Sequence, residues 1–150
     1  MELSHTFTVG ADIGRAWEIL TDVERLAPCV PGFELTEAAD EEFRGVMKVK
    51  VGAVSATYDS KLRFVERDSG SYRAVIKGEG RDTRGQGNVS ATITSTLEPA
   101  DGATRASIVT DLVVTGRVAQ FGRGILTDVS NRLLQQFVAC LEATILAREE

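Results

Sequence analysis

The chain has 150 residues, 43% apolar and 26% charged, with a net charge of −5, which is enough for one hydrophobic core of ordinary globular composition. The acidic balance argues against nucleic acid, whose binders need a basic stripe to displace counterions, and against a polybasic grip on anionic lipid. A single His (His5) and two widely separated Cys (Cys29 and Cys140) give no metal-ligand cluster and no nucleophile–base arrangement, so neither a metal nor a catalytic residue is expected.

The elements follow in chain order. Residues 2–9 alternate, with Leu3, His5, Phe7 and Val9 on one face of a half-buried strand, and His5 reads as an ordinary strand histidine. Asp12 is placed to cap a short amphipathic helix over 13–21, in which Ile13, Ala16, Trp17 and Leu20 share a stripe. Asp22 opens a second turn over 23–27, and Pro28 and Pro31-Gly32 close this helical hairpin.

From Phe33 the period becomes two. Strands are expected over 33–39, then through Phe43 to Val51, and then through Ala56, Tyr58, Ser60, Leu62 and Phe64. A turn at Asp68-Ser69-Gly70 leads to a strand with Tyr72, Ala74 and Ile76 on one face. Two more carry Val89, Ala91, Ile93, Ser95 and Leu97, then Ala106, Ile108, Thr110, Leu112 and Val114. With the first strand this makes seven, joined mostly by short turns and hence antiparallel. Arg81, Asp82 and Arg84 read as a solvated hairpin tip, and the glycines of 78–87 as bends of a curved sheet rather than a phosphate loop, since the lysine and the strand-to-helix setting are missing.

Gly116 marks the change to a long helix, expected over 118–148 and about 45 Å long. Its stripe through Ile125, Val129, Leu133, Phe137, Leu141 and Ile145 has to lie on the concave face of the sheet. Cys29, between two prolines, and Cys140, beside the stripe, read as structural thiols. Two thiols without a secretory signal suggest a reducing, cytoplasmic setting. No apolar run approaches the roughly 20 residues that a spanning helix needs.

Small residues on the inner face (Ala56, Ser60, Ala74, Gly78, Ala91 and Ala106) leave volume that a plain core would fill. The expected lining is Tyr58, Leu62, Phe64, Tyr72, Ile76, Ile93, Ile108, Leu112 and Val114 from the strands. The helix adds Phe121, Ile125, Leu126, Val129 and Leu133, and the mouth is expected at Val30, Pro31, Phe33 and Phe121.

The local motifs narrow the reading. Trp17-Glu18-Ile19-Leu20-Thr21-Asp22 followed by Cys29-Val30-Pro31-Gly32-Phe33-Glu34, the run Lys48-Val49-Lys50-Val51-Gly52-Ala53-Val54-Ser55-Ala56-Thr57-Tyr58, the pairs Gly78-Glu79-Gly80 and Gly85-Gln86-Gly87, and Val114-Thr115-Gly116-Arg117-Val118-Ala119-Gln120-Phe121-Gly122 occur in order. Together they resemble the carbon monoxide dehydrogenase G-subunit (CoxG-like) family of the START-like, birch-pollen-allergen-like (SRPBCC) superfamily. Ala53 stands where the family usually has proline.

The resemblance implies an α+β helix-grip fold: a curved seven-stranded antiparallel sheet wrapped around a long C-terminal helix, as one ligand-binding domain over 1–150, without the C-terminal tail that many relatives carry. It also implies an accessory protein rather than an enzyme. The expected partners are a molybdenum hydroxylase that oxidises carbon monoxide and a hydrophobic guest, a lipid or an isoprenoid quinone such as menaquinone, with peripheral contact at the inner face of the cell membrane. Two alternatives stay open: a docking factor without a ligand, and an enzyme of the polyketide-cyclase type.

Overall fold

A computed structural model describes residues 1–146. The order is β1 (Glu2–Val9), α1 (Ile13–Leu20), α2 (Val23–Leu26), a 3₁₀ turn (Ala27–Cys29), β2 (Phe33–Ala38), β3 (Glu42–Val51), β4 (Val54–Asp68), β5 (Arg73–Asp82), β6 (Asn88–Ala100), β7 (Ala103–Val114), a second 3₁₀ turn (Arg117–Phe121), α3 (Gly122–Leu141) and a π turn (Glu142–Leu146). The caps act as the sequence implies: the Asp12 and Asp22 carboxylates accept from the Arg15 and Arg25 amides at 2.8 and 3.2 Å.

The strands form one antiparallel sheet in the order β1-β7-β6-β5-β4-β3-β2. Only β1 and β7 are paired across a long connection, and this pairing sets α1 and α2 against one face. That face is the concave one. α3 crosses it as a bar, its closest backbone approaches being to β1, to β3 and to the 3₁₀ turn at Ala27–Cys29. The fold is therefore the expected helix grip.

Three features depart from the sequence reading. The last helix does not run unbroken from 118: a 3₁₀ turn comes first, Gly122 at φ +77° resets the chain, and the α-helical part spans 20 residues before the π turn. Positions 147 and 148 of the expected helix lie outside the described residues. Tyr72 is not on a strand face but ends the β4–β5 turn at φ +52°, with its ring edge-on to Trp17 at 6.0 Å.

The third departure is covalent. Cys29 and Cys140 are joined as a disulfide with their Cα atoms 5.4 Å apart, so neither is a free thiol. The bond ties the 3₁₀ turn before β2 to the last turn of α3, and Cys29 is buried. A disulfide runs against the reducing compartment inferred from two lone thiols, because such bonds persist chiefly in oxidising surroundings.

Candidate functional site: the inner face under α3

The core does not close into one body. Val9, Ala16, Ile19, Leu97, Ala106 and Leu141 form a cluster at the α1 end. Val51, Ala56, Tyr58 and Val118 form a second at the opposite end, joined by Phe121, Leu126 and Val129. Phe43, Phe64 and Ala74 form a third toward β3, joined by Leu62 and Ile76.

Between the clusters lies the middle of the inner face. Strand register sets Leu112, Ala91, Gly78 and Leu62 in one row across β7, β6, β5 and β4, and Thr110, Ile93, Ile76 and Phe64 in the next. Ile93, Ile108, Leu112 and Leu133 belong to none of the three clusters and are half-buried. A closed core would show the opposite gradient, driest at its centre.

Polar atoms point the same way. The hydroxyls of Ser95 and Thr110 have no protein hydrogen-bond partner among the described residues, and there no side-chain N or O atom is both buried and unsatisfied. Water therefore reaches these hydroxyls. The accessible surface of 8489 Å² also exceeds the about 7,450 Å² that a chain of this mass normally keeps.

Two of the small residues, Gly78 and Gly45, are covered by neighbouring side chains. A Cβ on Gly78 would stand 2.8 Å from Leu62 Cδ2, and one on Gly45 would stand 2.5 Å from Phe33 Cζ. Leu62 and Phe33 thus lie flat across the sheet instead of projecting from it.

Of the expected mouth residues, Val30, Pro31 and Phe33 are held against β3, where the Lys48 amide donates to the Gly32 carbonyl at 2.8 Å. The Phe121 ring lies against Gly52 at the end of β3. Both parts of the mouth thus meet along one strand. Of the expected lining, Tyr58 and Phe64 are buried within clusters, Tyr72 sits at the α1 end with Trp17, and Ile125 is 46% exposed. Val114 packs with the Val51 cluster.

The sequence reading puts Asp82 in a solvated tip, and the structure corrects this: it is buried, directly across from Tyr58 on the inner face, with one oxygen accepting from the Arg84 amide at 2.8 Å. Burial, and then the Asp82 carboxylate, raise the Tyr58 hydroxyl above its usual pKa of 10.0. The signal is present in the sequence: Ala74, Ile76, Gly78, Gly80 and Asp82 keep one parity along β5.

Two concavities lie away from the middle of the inner face. One of about 480 Å³ lies between Asp22–Glu24 of the α1–α2 region and the β2–β3 turn, and is lined by acidic residues with Arg67. The other, of about 340 Å³, lies between β1 and α3 and is bordered by Leu3, His5, Thr127 and Asn131. There His5 Nε2 is 2.8 Å from Asn131 Oδ1, joining the sheet edge to the helix. No cluster of metal-ligating side chains occurs among the described residues.

A curved seven-stranded antiparallel sheet gripping a long helix is the START-like helix-grip fold. The sequence matches the family described as the G subunit of carbon monoxide dehydrogenase (CoxG) over residues 6–146, and the chain belongs to that family. No curated protein matches it.

Among solved structures it is similar to a conserved protein of Geobacillus kaustophilus (TM-score 0.86, 21% identity, covering 98% of this chain and 96% of that one). A protein of Thermus thermophilus follows (0.71, 14%, 100% of both chains), as does the Zhui aromatase/cyclase of a Streptomyces species (0.69, 18%, 100% and 96%). At these identities the likeness shows the fold alone. No helix among the described residues is long and apolar enough to cross a membrane.

Proposed function

We propose that the protein is an accessory factor that takes a hydrophobic guest, an isoprenoid quinone or a related lipid, into the space between α3 and the sheet, and so links a molybdenum-containing carbon monoxide dehydrogenase to the quinone pool of the membrane. The carrying observation is the inverted gradient of the interior, whose apolar centre is wetter than its ends. Water against Ile93, Ile108, Leu112 and Leu133 is unfavourable, and a greasy guest relieves it by about 0.8 kcal/mol per methylene buried.

Against a bilayer the same methylenes gain almost nothing, since both surroundings are apolar. Loading and release are then both feasible, while loss to water is not. Family membership supports the accessory role and supplies the dehydrogenase as the partner. The lining is assigned to Ile76, Ile93, Ile108, Leu112, Val129 and Leu133, with Phe121 at the mouth.

The test is native mass spectrometry after incubation with menaquinone-loaded vesicles and separation from them. A 1:1 adduct is expected, and Val129→Arg, which would place an unpaired charge in the apolar interior, abolishes it while circular dichroism stays native. Absence of an adduct, or an adduct that survives Val129→Arg in a folded protein, overturns the reading.

A further inference from the structure

His5 shares the inner-face parity of Leu3 and Phe7 on β1, an edge strand paired only with β7. Its ring crosses to α3, where Nε2 donates to Asn131 Oδ1 at 2.8 Å. On α3, Arg123, Thr127 and Asn131 fall at i, i+4 and i+8, so a stripe of polar side chains follows the edge of the sheet. Between strand and stripe lies the concavity of about 340 Å³, at the lower end of the range for small-molecule sites.

Much of the hydrogen-bonding capacity along this opening is unused. Asn131 accepts from His5, but its amide nitrogen has no protein partner among the described residues, and neither has the Thr127 hydroxyl. Met1 and Leu112 exchange both backbone bonds, at 2.7 and 2.8 Å. The antiparallel alternation then turns the Ser4 amide and carbonyl away from β7, toward the open edge. Arg123 donates to the Glu2 carbonyl at a long 3.4 Å. Donors from four residues therefore border one opening.

The opening is balanced in charge, since Arg123 supplies one cation and Glu2 one carboxylate, both exposed. That balance disfavours an anionic head such as a phosphate, while the excess of donors suits neutral acceptor oxygens. The floor is apolar. Leu3 is buried, and beside Leu3 and His5 on β7 stand Thr110 and Ile108, both half-buried on the inner face. A guest entering here meets a polar rim first and an apolar face one strand further in.

We propose that this opening between β1 and α3 seats the carbonyl ring of a quinone, with Asn131 and Thr127 donating to a ring oxygen and the isoprenoid tail running inward past Ile108 and Thr110. The assignment rests on the carrier reading and specifies its head-group site. His5 is a positioning residue: it holds Asn131 Oδ1 and so leaves the amide N–H groups for the ring.

The experiment loads the purified chain from detergent micelles with menaquinone, or with squalene, an isoprenoid hydrocarbon that has no head. Native mass spectrometry reads the captured fraction, and infrared difference spectroscopy reads the carbonyl stretch of the bound quinone. Menaquinone should be captured in preference, with its stretch below the value in hexane. Asn131→Leu and Thr127→Val should each weaken menaquinone capture roughly fivefold, the effect of one neutral hydrogen bond. Both should leave squalene capture unchanged and move the stretch back toward its value in hexane. His5→Phe should move the stretch the same way, which a purely structural role would not do. Asn131 is exposed and Thr127 and His5 are half-buried, and circular dichroism controls for folding.

Squalene captured as strongly as menaquinone, or a stretch that Asn131→Leu and Thr127→Val leave in place, overturns the inference while the carrier stands. So does a phosphatidylglycerol adduct that displaces menaquinone and is lost in Arg123→Ala, which would assign the opening to a phosphate head. Capture of neither menaquinone nor squalene overturns the carrier reading, and the head-group site falls with it.

Discussion

Gly87 and Gly116 face each other where the β5–β6 turn meets the lead into α3. A Cβ on Gly116 would stand 1.8 Å from the Gln86 carbonyl oxygen, and one on Gly87 would stand 2.2 Å from that of Thr115. The Asn88 amide donates to Thr115 Oγ1 at 2.9 Å and Arg117 donates to Gln86 Oε1 at 2.7 Å, so two backbones touch along a short seam. This seam fixes the direction in which α3 leaves the sheet. Both glycines also adopt positive φ, but Gly85 does so in open space. The comparison separates contact from conformation. Gly85→Ala should cost about 1–2 kcal/mol, the left-handed penalty alone. Gly116→Ala has to part the seam as well and should cost about 3 kcal/mol or more. Urea unfolding measures both, and equal costs would mean that the seam contributes no stability.

At the scale of elements, α3 is held unevenly. Its first turn has no side-chain cap, begins at Gly122, and contains Gly124, where an added Cβ would meet nothing within 4 Å outside the helix backbone. Its last turn carries the Cys29–Cys140 bond, with the Thr144 hydroxyl donating to the Cys140 carbonyl at 2.6 Å. The bar is thus pinned covalently at its C-terminal end and has no side-chain cap at its start. The bond closes a loop of 111 residues, so Cys140→Ser or reduction should lower stability by about 2–4 kcal/mol. Coincident urea midpoints with and without reductant would show that the bond adds nothing. The strands were legible in the sequence because alternation is a local signal, and β1 through β7 fall near their expected positions. The start of α3 was not, because an apolar stripe continues through a 3₁₀ turn and a glycine reset without losing its period. Nor was the disulfide, because its partners are brought together only by the packing of the helix bar over the sheet.

At the scale of the whole molecule, face assignment from alternation puts the inner residues together, and it misses where chain geometry intervenes. Tyr72 leaves its face through a positive φ, and Asp82 reads as solvated on chemistry although its parity places it inside. What alternation cannot give is volume, because it says which side chains point inward and not whether they fill the space. Ala91 tests that directly. It sits half-buried between Leu112 on β7 and Gly78 on β5, in a row that crosses the middle of the inner face. In a filled core, Ala91→Phe would force neighbours off their rotamers and cost about 1–3 kcal/mol. Over a hollow, the ring enters space that water occupies, replaces an unfavourable wet apolar surface, and leaves stability unchanged or raised. The same ring stands where a guest would lie, so menaquinone capture should fall sharply in a protein whose urea midpoint has not dropped. A variant destabilised to the full overpacking cost would mean that the interior is packed solid, and an undestabilised variant that still captures menaquinone would place the guest elsewhere.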